Sequence, residues 1–401
     1  MTGRRGAEAA AEPPYAWTVV WSAFVCMVVI FGVAYSFAAF FRSFAAEFAA
    51  DRADVSLVFG ISGLIYFLLG AGAGMLADRY GPRAVCSAGM LFIAGGLLAS
   101  SFAQSMPGIY TAWGAGLGIG IGLVYAPSIG SVPPWFVRRR AFASGIASAG
   151  IGVGTLALPL LATSAIAALG WRHALQALAV GVVVFGFGST LLLRRAPARS
   201  APGAAASGMS LREALRSGRF WWMYAGCVLA APAMFIPFAH VSAAARDLGI
   251  GDARAVGLVG LIGVGSIVGR FAIGGLADRL GRIASIALLE ASLGACYLLW
   301  LAAGGYGALA LFALWLGLSY GGIVSLMPAV CMDLFGAPAV ASILGTLYSG
   351  AAFGNLLGPV VAGAVFDRTG SYVPVIWACF VLSLLSAAAS AQLLRDRHPT
   401  Y

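Results

Sequence analysis

The stretch "GMLADRYG", residues 74–81, returns as "GGLADRLG", residues 274–281. The offset of 200 residues pairs Leu76, Ala77, Asp78, Arg79 and Gly81 with Leu276, Ala277, Asp278, Arg279 and Gly281. At the same offset Gly122, Gly145, Gly150, Gly154 and Pro159 meet Gly322, Gly345, Gly350, Gly354 and Pro359. With 55 glycines in 401 residues, the glycine matches alone say little. An Asp-Arg pair that recurs in a chain with 9% charged residues says more. The two halves are copies of one design.

Each copy follows an apolar run long enough to cross a bilayer, about 20 residues. Such runs fill the chain, and the spacing predicts twelve spans: 17–41, 55–77, 84–102, 109–132, 141–169, 171–193, 220–244, 255–277, 283–303, 306–332, 339–366 and 372–394. Composition agrees, because 61% of residues are hydrophobic, well above what soluble domains carry. The ten-residue alternating segments of a transmembrane β-barrel do not appear. The stretch 194–219 is the one long polar interruption, and it divides the spans six and six. Domains are therefore expected at 17–193 and 220–394, with a leader at 1–16, a linker at 194–219 and a tail at 395–401. Within the linker, Ser210 and Glu213 have capping-box spacing, which predicts a short interfacial helix ahead of Phe220, Trp221 and Trp222.

The formal net charge of +10 would suggest nucleic acid in a soluble protein. Here it reports topology. All 24 basic residues are arginines; seventeen fall in segments on the side of the N-terminus, six on the other side, and Arg270 in neither. The positive-inside rule then places both termini in the cytoplasm, for a multi-pass protein of the cell membrane. The six cysteines are scattered through spans without metal-ligand spacing, so neither metal nor cofactor is expected. No Walker loop, HExxH or nucleophile–base set is present, and an enzyme is not expected.

These motifs resemble the major facilitator superfamily along nearly the whole chain. "GMLADRYGPR" is similar to its signature between the second and third helices, and "GGLADRLGR" to the counterpart between the eighth and ninth. The resemblance implies an all-α integral membrane fold of twelve transmembrane helices in two pseudo-symmetric six-helix bundles. It also implies a cytoplasmic gate at Asp78, Arg79, Asp278 and Arg279. Four further stretches resemble the monocarboxylate transporters and the oxalate:formate antiporters: "GVAYSFAAFF" (32–41), "WFVRRRAFASGIASAGIGVG" (135–154), "MDLFG" (332–336) and "FDRTGSY" (366–372).

Arg270 is the remaining match, and in both groups an arginine here binds the substrate carboxylate. Eight residues separate it from Asp278, which puts its backbone roughly 12 Å inside a core about 30 Å thick. A charge there must face a cavity or a partner. Glu290 is the clear acidic residue within a span; the ninth helix is peripheral in this superfamily, so Glu290 is expected near the lipid interface and not at Arg270. The planar guanidinium fork suits a carboxylate. Tyr35, Tyr125, Tyr320 and Tyr348 are the expected companions, each offering an apolar ring and one hydroxyl.

Three departures bear on the substrate. Ala39 stands where many animal relatives have lysine, Ser266 where they have aspartate, and Ala351 where the oxalate antiporter has a second cation. One cation suits a monoanion better than a dianion. The expected function is secondary transport of a small monocarboxylate, lactate- or pyruvate-like, coupled to a proton, with the single chain as the functional unit. His240 and Asp247 are the candidate coupling groups. Carboxylate exchange is the alternative, and a non-transporting anion receptor stands behind it.

Overall fold

A computed structural model describes residues 13–136, 140–196, 208–336 and 340–395. It contains twelve helices long and apolar enough to cross a membrane. They are α1 (Tyr15–Phe48), α2 (Arg52–Tyr80), α3 (Pro82–Ser101), α4 (Met106–Trp135), α5 (Arg140–Leu169) and α6 (Trp171–Thr190) in the first half. The second half holds α7 (Gly218–Asp247), α8 (Asp252–Leu280), α9 (Arg282–Leu301), α10 (Tyr306–Phe335), α11 (Val340–Thr369) and α12 (Val373–Arg395). We call the face where α1 begins and α12 ends the near side, and the opposite face the far side.

Several helices outrun their apolar stretches. α1 continues to Phe48, and α2 begins at Arg52. Hydrophobicity marks how much of a helix lipid accepts, whereas backbone hydrogen bonding carries the helix on into polar residues. The repeated motif is visible as backbone geometry. α2 stops at Gly81 (φ 91°) and α8 at Gly281 (φ 87°). In each case the glycine N–H closes on the carbonyl of Ala77 or Ala277, at 2.8 and 2.9 Å. A side chain is strained at such positive φ, so the motif needs its final glycine. In the linker, Ser210 and Glu213 form the expected capping box at the start of a short helix, Leu211–Arg216.

Packing repeats with the sequence. α1 lies along α5 as α7 lies along α11; α2 and α3 flank α4 as α8 and α9 flank α10. The halves meet along two seams related by the same symmetry, α2 against α11 and α5 against α8. Backbones touch at these seams. A Cβ on Gly152 would fall 2.7 Å from the carbonyl oxygen of Gly263, and a Cβ on Gly263 the same distance from that of Gly152. On the other seam, a Cβ on Gly60 would sit 2.9 Å from the carbonyl oxygen of Leu356.

Glu290 differs from expectation. It is 1% exposed and lies inside the second half, not at the lipid interface. Its neighbours are Met223 of α7, Met327 of α10 and Ser390 of α12. α9 is peripheral, but the face carrying Glu290 turns inward.

Candidate functional site

Arg270 is held where close helix packing allows it. Gly265 and Gly269 press the backbone of α8 onto α10, at the carbonyls of Leu314 and Leu318, with no room for a Cβ on either glycine. The guanidinium donates from Nε to Ser266 Oγ at 3.4 Å, a long and weak contact. Ser266, 2% exposed, is a neutral partner and supplies no charge. Arg270 Nη2 is shielded from solvent and has no hydrogen-bond partner. The field of this guanidinium reaches Tyr35, Tyr125 and Tyr348.

The four tyrosines come from both halves and meet in one aromatic layer. Tyr35 and Tyr320 approach hydroxyl to hydroxyl at 3.3 Å, linking α1 to α10. Tyr35 stacks on Phe238 of α7 with ring centroids 4.0 Å apart, and Phe238 meets Tyr320 edge-on at 5.6 Å. Tyr125 packs against Phe31 at 5.5 Å, and Tyr348 against Phe67 at 6.0 Å. Phe31, Tyr66, Phe67, Phe235 and Phe238 complete the layer and were not among the expected site residues. In a chain with 24 phenylalanines their sequence signal is indistinguishable from ordinary packing. Together these groups can hold a small organic anion: one cation with an unused donor, several hydroxyls, and apolar rings that displace water.

On the far side, His240 and Asp247 enter one network that joins the halves. Asp247 pairs with Arg52 of α2 at 2.7 Å. Arg52 Nη1 also donates to the Tyr372 hydroxyl at 2.7 Å. His240, fully buried, places Nε2 at 2.8 Å from the Pro359 carbonyl, which can only accept, so Nε2 carries the proton. Nδ1 is then the acceptor for the Tyr372 hydroxyl at 2.9 Å. Ser56 Oγ lies 3.0 Å from Nε2 and donates to the Arg52 carbonyl at 2.6 Å. The result is a network centred on Arg52, which donates to Asp247 on one side and to Tyr372, and so to His240, on the other, joining α7, α2 and the residue that precedes α12. The Tyr372 hydroxyl accepts from Arg52 and passes its own proton toward His240 Nδ1 as donor.

Asp367 of α11 adds a second bond across the halves. Its carboxylate accepts the Arg52 and Ala53 backbone N–H groups at 3.2 and 3.0 Å, capping α2 from the other half. Asp367 and Tyr372 both belong to "FDRTGSY", which read in sequence as a family marker without a partner. Arg42 pairs with Asp252 at 3.1 Å nearby. The bonds between halves named above, together with that of Asn355 to the Phe59 carbonyl, lie at the aromatic layer or on its far side. Of the expected near-side gate, Arg79 lies over the Tyr80 ring at 5.2 Å, while the side chains of Asp78 and Asp278 fall outside the described residues. No group of three His, Cys, Asp or Glu among the described residues is placed to hold a metal.

This arrangement, a central site between two repeated bundles, can now be set beside known proteins. Residues 23–349 match the family described as Major Facilitator Superfamily. The chain belongs to the Major Facilitator Superfamily. Among its relatives, monocarboxylate transporter 13 of Bos taurus is 31% identical over 384 residues, 93% of this chain and 89% of the relative. Monocarboxylate transporter 3 of Rattus norvegicus is 31% identical over 361 residues, 86% and 73% of the two chains. A crystal structure of a bacterial homologue of the human lysosomal transporter Spinster, inward-facing and unoccupied, superposes with a TM-score of 0.75. It covers 97% of this chain and 100% of that one at 16% identity, a likeness of fold. As a member of this superfamily the chain is a multi-pass membrane transporter, not an enzyme.

Proposed function

We propose that this transporter is a proton-coupled carrier of a small monocarboxylate, lactate- or pyruvate-like, and that Arg270 receives the carboxylate. The carrying observation is the Arg270 guanidinium: deep in α8, bonded weakly to Ser266, with Nη2 shielded and unpartnered. Charge so placed attracts an anion, and the hydroxyls of Tyr35, Tyr125, Tyr320 and Tyr348 supply further donors. The names of the relatives favour a monocarboxylate. The single cation, with Ala39 and Ala351 at the other two positions, favours it over a dicarboxylate.

The arginine bias of the loops makes the near side cytoplasmic. With the far side bound shut, this conformation then faces the cytoplasm. Transport proceeds as the far-side network breaks and a near-side gate forms, with Asp78, Arg79, Asp278 and Arg279 as its residues. His240 and Asp247 couple the proton. A proton on His240 Nδ1 removes the acceptor of the Tyr372 hydroxyl and adds positive charge beside Arg52, which weakens the closed far side.

Counterflow in proteoliposomes tests the substrate, and uptake with and without a pH gradient tests the coupling. Labelled lactate or pyruvate should enter against unlabelled monocarboxylate, and an inward proton gradient should raise net uptake. Preference for oxalate, or indifference to the gradient with exchange intact, would favour carboxylate exchange.

A further inference from the structure

Glu290 has no part in the transport site, yet among the described residues it is the one acidic side chain that is buried. Its surroundings come from four helices. Ser386 and Ser390 of α12 place their hydroxyls beside the carboxyl. Gly226 of α7 is so near that a Cβ there would stand 3.1 Å from Ser390 Oγ and 3.5 Å from Glu290 Oε1. Ser386 is already committed to the Gly226 carbonyl, to which it donates at 2.9 Å. Glu290 Oε2 is buried with no partner. It borders a cavity lined by Met223, Ile283, Ile286, Met327, Val330 and Leu393, with about 10 Å³ open to a water's centre. That is room for about one water and no organic ligand.

The titratable and charged groups around it are few. α7 presents Cys227 toward it, and α10 presents Cys331 beside Cys227. Arg282 lies two turns along α9 and pairs with Asp333 of α10 at 2.9 Å. Ser386 and Ser390 are the polar groups that α12 contributes. An ionised carboxylate with two serines and no cation is poorly compensated in such a site, whereas a carboxylic acid needs no counter-charge.

We propose that Glu290 is a proton-binding site, separate from the substrate path, whose occupancy sets how α7 packs on α9 and α12. The equilibrium is simple: the carboxylate plus one proton gives the neutral acid, and the acid is the form in this conformation. Loss of that proton leaves a charge that must recruit water into the seam beside Gly226. α7 also carries Phe238 and His240, roughly 18 and 21 Å further along the helix. Near-side pH thereby reaches the helix that closes the far side, a regulatory consequence that rests on the transport reading above.

The binding site itself is tested without substrate. Infrared spectra of the purified protein near neutral pH should contain a protonated-carboxyl stretch, and Glu290→Gln should abolish it. Thermal stability gives a second readout with a definite sign. The protonated form stabilises the fold, so wild-type stability should fall as pH rises through the site's titration, and the Gln variant should lose that fall. Wild-type spectra alone suffice if the variant fails to fold: absence of the band at neutral pH would overturn the proposal, as would its persistence in a folded Glu290→Gln. Regulation is tested by counterflow at varied near-side pH, where the variant should respond less steeply than wild type, keeping only the response of the coupling groups, with unchanged substrate affinity. A variant as pH-sensitive as wild type overturns the regulatory role. Failure of Arg270 variants to lose binding would instead overturn the substrate reading and leave the infrared result standing.

Discussion

Replacing Arg270 by alanine separates a binding residue from a structural one, and its expected cost can be worked from the geometry. In the substrate-free protein the guanidinium makes one weak bond, to Ser266 at 3.4 Å, and Nη2 makes none. Removing the side chain therefore forfeits little internal bonding and removes a charge poorly matched to its surroundings. Melting temperature without substrate should hold or rise. A carboxylate on that guanidinium gains a charge-assisted hydrogen bond worth about 1.5–3 kcal/mol. At about 1.4 kcal/mol per decade, Arg270→Ala should weaken binding by about 10- to 150-fold. Arg270→Lys keeps the charge but not the planar fork, and should stay defective. Ligand-induced thermal shifts and counterflow, measured on one preparation of each variant, give affinity and activity together. A folded Arg270→Ala protein that binds monocarboxylate normally would refute the reasoning, and one that unfolds outright would show that the charge is compensated in some other way.

Other expectations concern the moving parts. Asp247→Asn removes the charge from a partly exposed ion pair worth about 0.2–1 kcal/mol, so the closed far side should lose about 1.4- to 5-fold in population. An Ala39→Cys label should then react faster with a far-side thiol reagent, against six native cysteines that are all buried. Asp78→Asn should slow the transport cycle yet leave equilibrium substrate binding nearly intact, and a large loss of affinity in folded protein would relocate the residue to the site. Gly265→Val must drive a side chain into the Leu314 carbonyl of α10, costing about 1–3 kcal/mol or more, which a depressed melting temperature should register.

Much of this architecture was legible because its causes are local. Bilayer thickness sets the length of an apolar run, so the spans could be counted. The repeated Gly81 and Gly281 turns expose the duplication, and capping chemistry marks the Ser210 helix start. Arg270 stood out because a charge inside a span is costly. What escaped depends on contacts distant in sequence. Arg52 and Asp367 looked like loop charges, yet 315 positions apart they form a helix cap across the two halves. Phe238 looked like any apolar residue until it stacked on Tyr35. Glu290 was misplaced for a different reason: a helix at the periphery still has an inner face, and helix rank in a bundle does not say which residues occupy it.

The seams between the halves also bear on the mechanics of switching. Where Gly152 meets Gly263, and Gly60 meets Leu356, main chain lies on main chain, and the side chains of Ile267 and Asn355 cross the seams over Gly152 and Gly63. On the transport reading proposed above, a tilting bundle carries those side chains over glycine surfaces, so the joint acts as a bearing while the resistance sits in the far-side bonds. Friction and latching thus reside in different residues. The speed of rocking and the population of each state can therefore be tuned independently: a methyl group on the bearing would slow both directions alike, whereas a charge removed at one end would tip the balance without roughening the path.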